Sequence, residues 1–115
     1  MRRIYIAGPY SSDNTLRTLR NIREGVKAAE QVLAAGDAPF CPWLDWMFEM
    51  FGDHEVKTYY GYSMAWLEAA DVVALLPGWE SSKGTLAEIE RAREFGIPVM
   101  TVGEWLREGT EGKTI

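Results

Sequence analysis

The stretch Asp71-Val72-Val73-Ala74-Leu75-Leu76-Pro77-Gly78-Trp79-Glu80-Ser81-Ser82-Lys83-Gly84-Thr85 decides how the chain is read. Its first six residues form a near-continuous aliphatic run opened by one acid. Such a run suits a strand covered on both faces in a parallel sheet. Pro77-Gly78 breaks it. A loop from Pro77 to Lys83 then leads into a helix expected over about Thr85 to Phe95.

The same alternation continues on both sides. Downstream, Gly96-Ile97-Pro98 leads into a strand at Val99-Met100-Thr101-Val102, a short helix around Glu104 to Arg107, and a polar tail over 108–115 expected to be flexible. Upstream, Arg3-Ile4-Tyr5-Ile6-Ala7 reads as a buried first strand ended by Gly8-Pro9. A helix follows from about Asn14 to Ala35. Leu16, Leu19, Ile22, Val26, Ala29 and Leu33 step by three or four, the pattern of a core-facing stripe. Gly36 stops it, and Ala38-Pro39-Phe40-Cys41 is a short second strand. A further helix is expected from about Lys57 to Ala70, anchored by Tyr59, Tyr62, Trp66 and Leu67. Strands alternating with helices imply an α/β domain with a parallel sheet, whose ligands bind beyond the carboxyl ends of the strands. Here those ends carry the loops Gly8 to Ser12 and Pro77 to Lys83.

Trp43 to Phe51 is apolar except for Asp45 and Glu49, which are four apart and share a helix face. A short helix apolar around most of its girth must be covered on several sides. It lines a pocket, sits in a subunit interface, does both, or is a plain core helix; the sequence leaves these open.

Bulk properties narrow the function. The chain has 115 residues, which suits one domain over 1–115. Its formal charge of −5, with bases scattered among acids, argues against nucleic acid as a partner. Cys41 is the only cysteine and His54 the only histidine, so an internal disulfide and a cysteine or histidine metal cluster are excluded. Cys41 reads as a small buried hydrophobe, and His54 as a loop residue without a catalytic role. No apolar run approaches a membrane span, and Ile4–Ala7 is too short for a signal-peptide core, so the expected location is cytoplasmic.

Ser81-Ser82-Lys83-Gly84-Thr85 supplies hydroxyls, a cation and a glycine just where a helix begins. Free amides and the helix dipole make that end attractive to a phosphate. Glu88 is expected in the first turn of the same helix, a setting that favours an ionised carboxylate able to act as a nucleophile or electrostatic stabiliser. Thr85-x-x-Glu88 also fits a capping box, in which Glu88 only ties down the helix start. Tyr5 is a phenol able to bond a carboxylate across the cleft, or simply a core aromatic.

Ile4-Tyr5-Ile6-Ala7-Gly8-Pro9-Tyr10, Gly36…Pro39-Phe40, Trp66 to Ala74, and Ser82 to Ala92 followed by Gly96-Ile97-Pro98-Val99 together resemble the nucleoside 2-deoxyribosyltransferase-like superfamily, over about residues 3 to 102. The small phage and bacterial members and the 2′-deoxynucleoside 5′-phosphate N-hydrolases are most similar. The resemblance implies a flavodoxin-like three-layer α/β/α fold with four to five parallel strands. It also implies cleavage of an N-glycosidic bond without metal or cofactor, on a small-molecule nucleotide, by a chain that pairs with itself. Glu88 falls on the family nucleophile, Tyr5 on the tyrosine that holds it, and Ser82 and Gly84 on the 5′-phosphate site of the phosphate-preferring members. The transferases carry an acid at the Ser82 position. Gly8, Pro9, Tyr10, Ser81, Lys83 and Thr85 complete the expected binding set, and a homo-oligomer through Trp43–Phe51 is expected. Ser63 stands where the family usually has an aspartate that serves the leaving base; Asp45 or Glu49 replaces it only if their helix folds over the cleft. Gly84-Thr85-x-x-Glu88 also resembles the core of the LOG-type nucleotide-binding proteins, which leaves a non-catalytic nucleotide sensor as the alternative.

Overall fold

Strand β1 (Arg3–Ala7) lies inside the sheet, where Ile4, Tyr5 and Ile6 are all fully buried. The computed structural model describes the backbone of residues 1–113 and the side chains of 1–108. After β1 come α1 (Thr15–Ala34), β2 (Ala38–Phe40), a 3-10 helix (Pro42–Met50), α2 (Val56–Leu67), β3 (Val72–Leu75), α3 (Lys83–Glu94), β4 (Val99–Thr101) and α4 (Val102–Lys113). The four strands are parallel in the order β2-β1-β3-β4. The chain therefore has the flavodoxin-like α/β fold expected, with four strands.

Alternation along the strands sorts side chains into two cores. Ile4, Ile6, Val72 and Ala74 face Ala28, Ala29, Val32, Trp43, Val102 and Trp105, so α1, the 3-10 helix and α4 cover one side. Tyr5, Ala7, Val73 and Leu75 face Met64, Leu67, Ile89 and Ala92, so α2 and α3 cover the other. Asn14 caps α1, its side chain accepting from the amides of Leu16 and Arg17.

Several expectations need correction. On α1 the buried face is Gly25, Ala28, Ala29 and Val32, while Leu16, Leu19 and Leu33 are more than half exposed. The reason is the depth of the seat: a Cβ on Gly25 would fall 2.2 Å from the Trp43 ring. Only small residues let helix and ring approach so closely. On α2 the buried residues are Met64 and Leu67, and Trp66 is half exposed. Helix α3 starts at Lys83, two residues before the expected Thr85. Helix α4 runs to Lys113, well past Arg107. Residues 114 and 115 of the expected flexible tail lie outside the described residues.

Candidate active site

Order 2-1-3 puts the reversal of strand direction of travel between β1 and β3, where α/β sheets leave a crevice at their carboxyl ends. Two glycines let the loops beyond them meet. A Cβ on Gly8 would fall 2.8 Å from Leu76 Cβ, and Gly78 takes φ +89° against Pro9. The cavity opening there has a volume of about 940 Å³, ample for a nucleotide-sized ligand.

Its floor joins two elements. Tyr5 is fully buried, stacks on Phe40 at 5.4 Å, and donates its phenolic hydrogen to Glu88 Oε2. Burial first, then the nearby Glu88 charge, holds the Tyr5 phenol far above its ordinary pKa, so it stays a donor. Burial raises the Glu88 pKa to about 7, and the Tyr5 hydrogen bond opposes that rise. The sequence had suggested that the helix N-terminus would favour the ionised form. Glu88 lies in the second turn instead, beyond the strongest reach of the dipole, and lost hydration dominates.

The capping role proposed for Thr85 and Glu88 falls to Ser82. Its Oγ accepts from the Thr85 amide at 3.3 Å and the Thr85 hydroxyl at 2.9 Å. With both acceptor sites used, the Ser82 hydroxyl hydrogen is left to donate outward. Thr85 N–H is satisfied by the cap, which leaves the first-turn amides of Lys83 and Gly84 for solvent or an anion.

The 3-10 helix forms the opposite wall. Trp43, seated on Gly25, donates from Nε1 to the Pro9 carbonyl at 2.9 Å and tethers this segment to the loop after β1. Tyr10 donates to Asp45 Oδ1 at 2.7 Å, and Asn21 donates to the Tyr10 carbonyl at 3.0 Å. Burial raises the Asp45 pKa, offset in part by the Tyr10 hydrogen bond. Farther along, Tyr59 donates to Glu49 Oε1 at 2.8 Å. Asp45 and Glu49 both line the cavity, although in a 3-10 helix residues four apart do not share a face as they would in an α-helix.

Residues 2–101 match the family described as Domain of unknown function (DUF4406). The chain belongs to that family. This DUF4406 domain also matches the solved structure of a 2-deoxyribosyltransferase from the psychrotolerant bacterium Bacillus psychrosaccharolyticus, with TM-score 0.59 and 17% identity, over 86% of this chain and 70% of that one. At that identity the likeness is one of fold, and it bears out the resemblance read from the sequence at that level. No curated protein matches the chain.

In the DUF4406 domain all the residues singled out from sequence line one cavity: Glu88, Tyr5, Asp45, Gly8, Pro9, Tyr10, Ser81, Ser82, Lys83, Gly84 and Thr85. His54, read as an idle loop residue, lies on its edge and meets Tyr59 edge-on at 5.8 Å. Sequence reasoning missed Arg17, Asn21 and Tyr59 as lining residues, while Trp46 belongs to the segment for which a pocket wall was one reading. Tyr59 and Asn21 carry no local motif; Tyr59 meets the site through Glu49 of the 3-10 helix, and Asn21 through the Tyr10 carbonyl in the loop after β1. Ser63 lines the cavity near enough to the Tyr5 hydroxyl to oppose the rise in its pKa, so the slot expected to hold an aspartate does reach the floor. Cys41 is partly buried, and burial raises its pKa, as befits an unreactive thiol. Among the described residues, no group of three His, Cys, Asp or Glu is placed to hold a metal ion, and no helix is long and apolar enough to cross a membrane.

Proposed function

We propose that this domain cleaves the N-glycosidic bond of a nucleoside 5′-monophosphate, with Glu88 as nucleophile. One observation carries the reading: the Glu88 carboxylate shares a cavity with the amide-rich start of α3 and is held by the buried Tyr5 phenol. A 5′-phosphate accepts from the Ser82 hydroxyl and the amides of Lys83 and Gly84, with the Lys83 ammonium nearby. The sugar then lies toward Glu88. Attack of the carboxylate on the anomeric carbon breaks the bond to the base and forms a glycosyl-enzyme. Water attacks the same carbon, gives its proton to the Asp45 carboxylate left by the first step, releases the sugar phosphate and restores the Glu88 carboxylate; a second base in place of water gives transfer. Asp45, whose pKa is raised by burial, supplies a proton to the departing base.

The fold shared with a 2-deoxyribosyltransferase supports nucleoside glycosyl transfer as the reaction class. A serine rather than an acid at position 82 supports the monophosphate. The same reading takes a second copy of the chain as partner through Trp43–Phe51 and a cytoplasmic location. A non-catalytic nucleotide sensor is the second reading, favoured by Ser63 in place of the aspartate.

Incubation with ribo- and deoxynucleoside 5′-monophosphates, and with the free nucleosides, separates the two. Base release from a monophosphate, at least about tenfold faster than from its nucleoside, is expected from lost charge-assisted hydrogen bonds to the phosphate. Nucleotide binding without base release favours the sensor, and no binding at all defeats both.

A further inference from the structure

The 3-10 helix presents more than a single acid to the cavity. Asp45 and Glu49 both line it, each bonded by a different tyrosine, Tyr10 at 2.7 Å and Tyr59 at 2.8 Å. The two carboxylates are not equivalent in place. The charge of Asp45 reaches the Tyr5 phenol on the floor, and the charge of Glu49 reaches Asp45. Glu49 stands four residues beyond Asp45 along the 3-10 helix. Trp46 and Tyr60 line the cavity too and offer flat apolar surface against which a heterocycle can stack.

We infer that Glu49, held by Tyr59, makes this cavity select a base with an exocyclic amino group over its oxo counterpart. The inference rests on the reading above, which sets the sugar at Glu88 and so runs the base along the 3-10 helix. Asp45 then meets a ring nitrogen near the glycosidic bond, and Glu49 meets the substituent farther out. A carboxylate only accepts hydrogen bonds. One Glu49 oxygen takes the Tyr59 hydrogen, and the remaining lone pairs, open to water in the free chain, need a donor once a base covers them. The amino group of adenine or cytosine donates to it. The carbonyl of hypoxanthine or uracil sets oxygen against oxygen, and both lose hydration without a partner. The Tyr59 hydrogen bond favours that placement of the carboxylate.

The test compares adenine with hypoxanthine monophosphates and cytosine with uracil monophosphates. Base release and calorimetric binding are both measured, in ribo and deoxy forms. The native chain is expected to prefer the amino member of at least one pair by about 10- to 100-fold, the range of a good bidentate or charge-assisted contact to a base. Glu49→Gln keeps shape but can turn its NH₂ toward a carbonyl, so the preference is expected to fall to within about threefold or reverse. Tyr59→Phe removes the bond that places the Glu49 carboxylate and is expected to weaken the amino preference. Circular dichroism and thermal melting of each variant confirm that it is folded. Equal handling of amino and oxo bases by the native chain, or an unchanged preference in Glu49→Gln, overturns the inference. Base release without such a preference leaves the proposed reaction standing while removing the role of Glu49. An amino preference in binding with no base release does the opposite.

Discussion

At the scale of residues, Glu88 carries two linked consequences. As a nucleophile it must be ionised, and its pKa is raised to about 7. The kcat/KM for base release is expected to climb with pH through about 7 as Glu88 ionises, and to fall where Asp45 loses the proton it gives to the base. Tyr5→Phe removes a hydrogen bond that favours the carboxylate. The rising limb should then move to higher pH, and a limb that stays or moves down contradicts the role given to Tyr5. Stability follows the same proton. A folded pKa above the unfolded one means that the native state binds more protons, so stability falls as pH rises from about 4.5 to about 7. Glu88→Gln lacks that penalty. Relative to the native chain it should gain about 1–3 kcal/mol between pH 4 and 8, read from urea midpoints at each pH. No relative gain would mean that the carboxylate is well hydrated.

Among elements, the 3-10 helix depends most on a contact far from the chemistry. Nine residues is long for that geometry, which is usually confined to three or four. Trp43 anchors its start on Gly25 and on the Pro9 carbonyl. Gly25→Ala puts a methyl group into the ring, so helix or ring must shift. It should destabilise the domain by about 1–3 kcal/mol, as overpacked cores do. It should also lower the rate of base release through displaced Asp45, while Ala28→Gly on the same face leaves the rate unchanged. Rates corrected for folded fraction check this, and equal rates in Gly25→Ala and the native chain would uncouple the wall from the anchor.

This element also marks where the sequence stopped being legible. The β1 and β3 strands and both ligand loops were readable because aliphatic runs and Gly-Pro punctuation are local signals. The α1 stripe was not. Its leucines and its small residues both recur at helical spacing, and only the partner ring of Trp43 chooses between them. Glu88 was ambiguous for a related reason. A two-residue shift in the start of α3 turns a capping position into one that faces the cleft. Glu49 and Tyr59 were assigned no partners because they meet only in three dimensions.

For the molecule as a whole, the apolar side of the 3-10 helix is left uncovered. Leu44, Trp46, Met47, Phe48 and Met50 are about half exposed, and Phe51 is almost fully so. The proposal above puts a second copy of the chain against this apolar surface. With a second copy of the chain as partner, Phe51→Asp should shift the particle toward monomer in analytical ultracentrifugation, while the exposed Leu33→Asp on α1 should not. A native chain that sediments as a clean monomer at micromolar concentration would remove this surface from the proposal.

The most direct measurement is single-turnover base release from one nucleoside 5′-monophosphate by the native chain and by Glu88→Gln, with nucleotide binding measured in parallel. The native chain is expected to release the base, and the variant to bind the nucleotide yet react at least about a thousandfold more slowly, the scale on which removing a nucleophile acts. Similar release rates in the two proteins would contradict a reaction built on the carboxylate held by Tyr5.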